Sequence, residues 1–151
     1  MQRQRSLSLD FGAWPAADRE AWRSAVAPAT RLFDLGGAES RLRPATLKLY
    51  VDTYGHWLGF LERTEKAVPA GSAASRVTES RLDAWVGEQR QRGNRNATIH
   101  GRLRGLYGTL RVLEPTASIG FILRPGGISL NRAIPQRRAA LRRATPWNCW
   151  I

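Results

Sequence analysis

Between Asn94 and Leu113 the apolar residues Ile99, Leu103, Leu106, Leu110 and Leu113 recur at steps of three and four. That period lines one face of a helix, whereas a strand would alternate. Arg104 and Arg111 fall roughly opposite the stripe and Arg102 sits at its edge, so the helix has a core side and a cationic remainder. Asn94 and Asn96 precede the run, and either suits the cap of a first turn. Gly101, Gly105 and Gly108 share the back face, each weakening the helix by up to ~1 kcal/mol relative to alanine. Close approach of the helix backbone to a partner would account for them, and so would codon bias.

A second stripe constrains the fold as strongly. Leu47, Tyr50, Tyr54, Trp57, Leu58 and Leu61 follow Pro44, a residue suited to a first helical position. Helix formation should fade after Arg63, and Pro69 closes it. Upstream, Asp18 to Phe33 reads as a helix capped by Asp18, with Ala21, Trp22, Ala25 and Val26 on its apolar side. Pro28 must end or kink it, and Gly36-Gly37 is expected to be a flexible break. Before it, Phe11 and Trp14 belong to an arm that can dock on the domain. Downstream, Thr78 caps a helix from Glu79 to Arg92 with Leu82, Trp85 and Val86 inward, and Gly93 sits where a left-handed terminator is usual. Ser118 to Leu123 suits a short final helix or an extended piece. No long strand-like alternation precedes Pro115. The expectation is an all-α small helical bundle of four to five helices.

Charge narrows the function. The 151 residues carry 24 Lys plus Arg against 12 Asp plus Glu, a net +12. Twenty-two of those cations are arginine. A GC-rich genome explains arginine over lysine but not the shortage of acids, so a polyanion is the expected partner, nucleic acid before an acidic membrane. Cys149 is alone, which excludes an intramolecular disulfide framework and a CxxC ligand set. His56 and His100 have no cysteine cluster near them, so neither metal nor cofactor is expected. No apolar run approaches the ~20 residues of a membrane span, and the basic N-terminus lacks the apolar core of a secretory signal. A cytoplasmic, nucleoid-associated protein is expected. The last 37 residues hold six arginines and no acid, and suit a basic tail tracking phosphates without reading sequence.

The order Arg43-Pro-Ala-Thr-Leu-Lys-Leu-Tyr50, Trp57-Leu-Gly-Phe-Leu61, Val77-Thr, Leu82-Asp-Ala-Trp-Val86, Arg92-Gly93, Ala97-Thr-Ile99, Leu103-Arg-Gly-Leu106 and Glu114-Pro115 resembles the core-binding (SAM-like) domain of tyrosine recombinases, the phage integrase family. It covers roughly residues 40–125 and consists of degenerate positions rather than a signature motif. The organisation it implies is an arm and leading helix over 1–39, a core-binding domain over 40–125, and a basic, disordered linker or tail over 126–151. The family's catalytic domain would follow that linker with two arginines, a lysine, a His-x-x-Arg element and a tyrosine nucleophile. No such element follows here, and Tyr50, Tyr54 and Tyr107 precede the linker as core or core-edge aromatics. The resemblance thus implies the DNA-binding half of an integrase without the half that cuts, hence no enzyme. Trp147-Asn-Cys-Trp-Ile151 would suit a truncated or shifted reading frame.

Carried over, the contacts to double-stranded DNA would be Arg43, Thr46 and Lys48 in one region and Arg95, Asn96 and Thr98 in another, with Arg102 beside them. Helix N-termini present free N–H groups and a positive dipole end to phosphate. Arginine can address a guanine edge through two N–H groups. Thr46 and Asn96 would equally serve as simple caps, Arg43 and Arg95 as solvated charges, and Arg102 as a stem packed along its helix. His100 reads as an exposed bystander. A full-length recombinase, or a second copy on DNA, is a further conceivable partner. Other readings stay open: a remnant without function, a cutting enzyme by an unrecognised route, or a protein-docking module using an aromatic face around Trp57 and Trp85. Membrane-surface binding lacks the apolar face it needs.

Overall fold

A computed structural model describes residues 7–30, 33 and 36–123. These form four α-helices and two 3-10 turns, with no strand among the described residues: α1 (Ala16–Val26), α2 (Pro44–Glu65), α3 (Glu79–Gln91) and α4 (Asn96–Leu113). The turns are Phe11–Ala13 and Gly120–Leu123. The chain is all-α, a small helical bundle.

Both stripes are buried as their periods require. Tyr54, Trp57, Leu58 and Leu61 of α2 join Ile99, Leu103, Leu106, Leu110 and Leu113 of α4 in one core. Leu82, Trp85 and Val86 of α3 enter it too, and Trp85 meets Trp57 edge-on at 5.3 Å between ring centroids. Thr78 caps α3, its hydroxyl accepting from the Arg81 N–H at 3.3 Å. Ile119, just before the second 3-10 turn, and Ile122 within it join the same core.

The glycines of α4 resolve differently from the opening expectation. A Cβ on Gly105 would lie 2.6 Å from Thr53 Oγ1, and one on Gly108 only 2.3 Å from the Tyr50 ring. The back face of α4 is therefore where α2 crosses, and what Gly105 and Gly108 admit close to the helix backbone is the protein's own Thr53 and Tyr50 side chains. Thr109 fastens the crossing: its hydroxyl lies 2.8 Å from the Gly105 carbonyl and 3.1 Å from that of Tyr50. Leucines on one side and glycines on the other leave this stretch of α4 buried nearly all round. Gly101, by contrast, is exposed with open space around it.

Three other expectations are corrected. The leading helix runs from Ala16 to Val26 rather than to Phe33, stopping two residues before Pro28. Asp18 does not cap it. Pro15 holds the cap position, and Asp18 lies buried in the first turn, 2.6 Å from Arg76 Nη1, with the Tyr54 hydroxyl donating to it at 2.8 Å. Gly36-Gly37 is not a loose break either, because the Gly37 N–H donates to the Ala27 carbonyl at 2.8 Å and the Glu39 N–H to Ala25 at 2.9 Å. Those two bonds satisfy carbonyls that the end of α1 leaves open.

The arm docks as expected. Trp14 is 2 % exposed and packs edge-on against Tyr54 at 4.8 Å between centroids. Residues 7–9 cross α2 where Gly55 and Gly59 leave a groove: a Cβ on either would lie 2.5 Å from a carbonyl oxygen of the arm. The basic linker over 126–151, the tail arginines from Arg124 onward, Cys149 and the Trp147–Ile151 terminus lie outside the described residues.

Candidate nucleic-acid interface

The two N-termini singled out by the sequence share a local design. α2 begins Arg43-Pro44-Ala45-Thr46 and α4 begins Arg95-Asn96-Ala97-Thr98, each with arginine at the cap position and threonine three residues on. Neither cap residue makes a side-chain cap bond, and neither first turn holds an acid. α1 and α3 differ, carrying Asp18 and Glu79 in their first turns. The starts of α2 and α4 therefore keep uncancelled dipole ends with an arginine beside each, the arrangement suited to an anion. Asn94 and Asn96 are not the caps of α4. Asn96 is its first residue, and Asn94 belongs to the turn that ends α3.

That turn aims the start of α4. Gly93 adopts φ 79°, the left-handed conformation that glycine takes at little cost. The Gly93 N–H donates to Arg90 at 2.9 Å and the Asn94 N–H to Gln89 at 3.1 Å. Together these two bonds form a Schellman motif, which closes α3 and reverses the chain. Arg95, Asn96 and Thr98 emerge from it exposed.

The two contact regions are not brought together. Gly105 meets Thr53 and Gly108 meets Tyr50, so α4 advances as α2 recedes and the pair is antiparallel. Leu42, just before α2, accordingly shares a groove with Arg111 and Val112 at the end of α4. At ~1.5 Å per residue the two N-termini lie roughly 30 Å apart along the pair. Arg43 and Lys48 are exposed and Thr46 half-buried. Lys48 spends its charge on Asp52 one turn away at 2.5 Å, which leaves Arg43 the better anion contact of the two. Arg104 and Arg111 are exposed on the outer face, where the Arg111 guanidinium donates to the Pro115 carbonyl at 2.8 Å. His100 is exposed.

Arg102 belongs with a group that the sequence did not single out. Its Nη1 donates to Gln89 Oε1 of α3 at 3.0 Å. Beside it a pocket of about 400 Å³ opens between α2, α3 and α4, lined by His56, Arg63, Glu88, Gln89, Arg92 and Arg102 among others. Burial first, then the neighbouring Arg92 charge, lowers the Arg102 pKa. Burial, and next Arg102, lowers that of His56. The one-turn spacing of Glu88 and Arg92 could have flagged an ion pair on α3. Nothing local connects either to Arg63 or Arg102.

The described residues hold no group of three or more His, Cys, Asp or Glu able to bind a metal, and no helix among them is long and apolar enough to cross a membrane. Trp57 and Trp85, 0 % and 2 % exposed, close the core rather than offering an aromatic face. Tyr54 is buried, and its hydroxyl pKa is raised far above the ordinary tyrosine range by burial and then by Asp18. A phenol so held is a poor nucleophile. No family model matches the chain, and no curated protein or solved structure matches it.

Proposed function

We propose that this chain is a module that binds double-stranded DNA, of the tyrosine-recombinase core-binding type, and that it does no chemistry by itself. One observation carries the reading: the paired design of the α2 and α4 N-termini, each free of acid, uncapped by a side chain and led by an arginine. The net charge of +12 supports it, as does the resemblance of its motif order to the integrase pattern. Phosphate contacts from Arg43 and Arg95, about 30 Å apart, would fix the bundle on the duplex backbone. Thr46, Asn96 and Thr98 lie beside them for sugar, phosphate or base edges.

Binding of a labelled duplex, followed by fluorescence anisotropy across a salt series, tests this. If six to ten phosphates are neutralised, affinity falls ~10³–10⁵-fold between 50 and 200 mM salt. A response flat with salt refutes the reading. Incubation with a nicked suicide duplex should yield no covalent protein–DNA product, and one would overturn the non-catalytic assignment.

A further inference from the structure

The corner where α3 turns into α4 holds a feature that duplex binding by helix N-termini does not use. Arg63 of α2 and Arg92, the residue just past the end of α3, both point at the Glu88 carboxylate, at 2.8 and 3.0 Å from Oε1. One acid therefore serves two arginines. Arg102 on α4 has no acid partner among the described residues, only the neutral Gln89 Oε1. Gln89 itself is 2 % exposed, and with its oxygen occupied by Arg102 its Nε2 stands as a buried donor without an acceptor. Trp14, Trp57 and Arg19 also carry unpartnered N–H groups, but none of these lines this pocket. A buried donor left unpaired costs about 1–3 kcal/mol, so an acceptor arriving here would recover part of that cost.

We propose that this pocket binds a phosphate group, held by Arg102 with Gln89, Asn94 and Arg92 around it. Three lines of chemistry select phosphate. The lining is cationic with its acid already consumed, so the incoming group is an anion. The donors reach the pocket from three helices and the α3–α4 turn, which suits a tetrahedral anion with several acceptor oxygens better than a planar carboxylate. The space, about 400 Å³, exceeds one phosphate and lies in the range of small-ligand pockets, leaving room for the body that carries the group. That body is either the DNA backbone or a free phosphorylated small molecule such as a nucleotide. The pocket chemistry is the same for both.

The test uses the full chain in inorganic phosphate, and in a nucleoside 5′-monophosphate against its nucleoside, with sodium chloride at matched ionic strength as the control. Thermal unfolding should show a saturable rise with the phosphorylated probes and none with the nucleoside. His56, on the pocket wall, gives a second readout by NMR: its pKa should rise as phosphate binds. Arg102→Gln should abolish both effects. Gln89→Glu, which would give Arg102 an internal carboxylate, should weaken phosphate at least tenfold while leaving the chain folded. Phosphate indistinguishable from chloride, or an effect that survives Arg102→Gln, overturns the proposal. The duplex identifies the source. If Arg102→Gln also lowers the salt slope of duplex binding by about one, the backbone supplies the phosphate. If duplex binding is unchanged while nucleotide binding is lost, a free phosphorylated ligand does. Loss of duplex binding altogether in the wild-type chain, with phosphate effects intact, would remove the DNA reading and leave the pocket standing.

Discussion

Arg76 and Arg102 carry the same guanidinium into two opposite environments. Arg76 is 4 % exposed, yet every direction is met: Nε donates to Pro69 at 2.8 Å, Nη2 to Gly71 at 2.6 Å, and Nη1 to Asp18 at 2.6 Å. It ties α1, the tyrosine of α2 and the loop before α3 into one body. Arg102 is half-buried, makes one bond to a neutral amide, and faces Arg92. A buried charge is tolerable when paired and hydrogen-bonded, and costly otherwise. The first arginine is thus a finished structural joint, and the second is a charge kept available.

The contrast is sharpest under substitution. Arg76→Met should destabilise the fold by about 3–5 kcal/mol, because it strands the Asp18 carboxylate in the core. Adding Asp18→Leu should recover much of that loss. Arg102→Gln should change stability by less than about 1 kcal/mol, since no acid is left unpaired. Chemical denaturation of the four proteins measures the comparison, and equal losses at the two arginines would erase it.

A smaller effect is expected where α2 meets α4. Gly108→Ala pushes a methyl into the Tyr50 ring and should cost about 1–3 kcal/mol, as overpacking generally does. Gly101→Ala, at a helical position with nothing nearby, should instead stabilise by up to ~1 kcal/mol. Opposite signs at two glycines seven residues apart would fix the crossing face, and the same sign would contradict it.

The smallest effect concerns pH. His56 has a folded pKa below its ordinary value of 6.5. The unfolded chain therefore takes up the proton first, and stability falls as pH drops below about 6.5 towards the folded pKa. His56→Gln should remove that part of the acid-side loss, seen as a flatter stability profile just below neutral pH. Bound phosphate should flatten it in the wild-type chain too.

The sequence carried what is periodic. Both apolar stripes, the Thr78 cap and the left-handed Gly93 depend on neighbours within one or two turns, and each could be read from spacing. What depends on distant partners could not. Asp18 looks like a cap because a short acid before an apolar run usually is one. Only Arg76, 58 positions later, converts it into a buried ion pair. The back-face glycines could be seen, but not that α2 fills their groove. The candidate contacts at Arg43 and Arg95 were legible from the motif order, whereas the antiparallel sense of α2 and α4, which sets them at opposite ends, was not. The corner at Arg102 draws on His56, Glu88, Gln89 and Arg92 from separate helices and left almost no linear trace.

The central claim is that two arginine-led helix starts hold the duplex backbone, and the salt slope of binding addresses it most directly. The logarithm of duplex affinity against the logarithm of salt concentration should be measured for the wild-type chain, for Arg43→Ala, for Arg95→Ala and for the pair. Each single change should reduce the slope by about one. The double change should reduce it by about two, since sites some 30 Å apart act independently. Four identical slopes, with the duplex still bound, would place the phosphate contacts elsewhere and contradict the account.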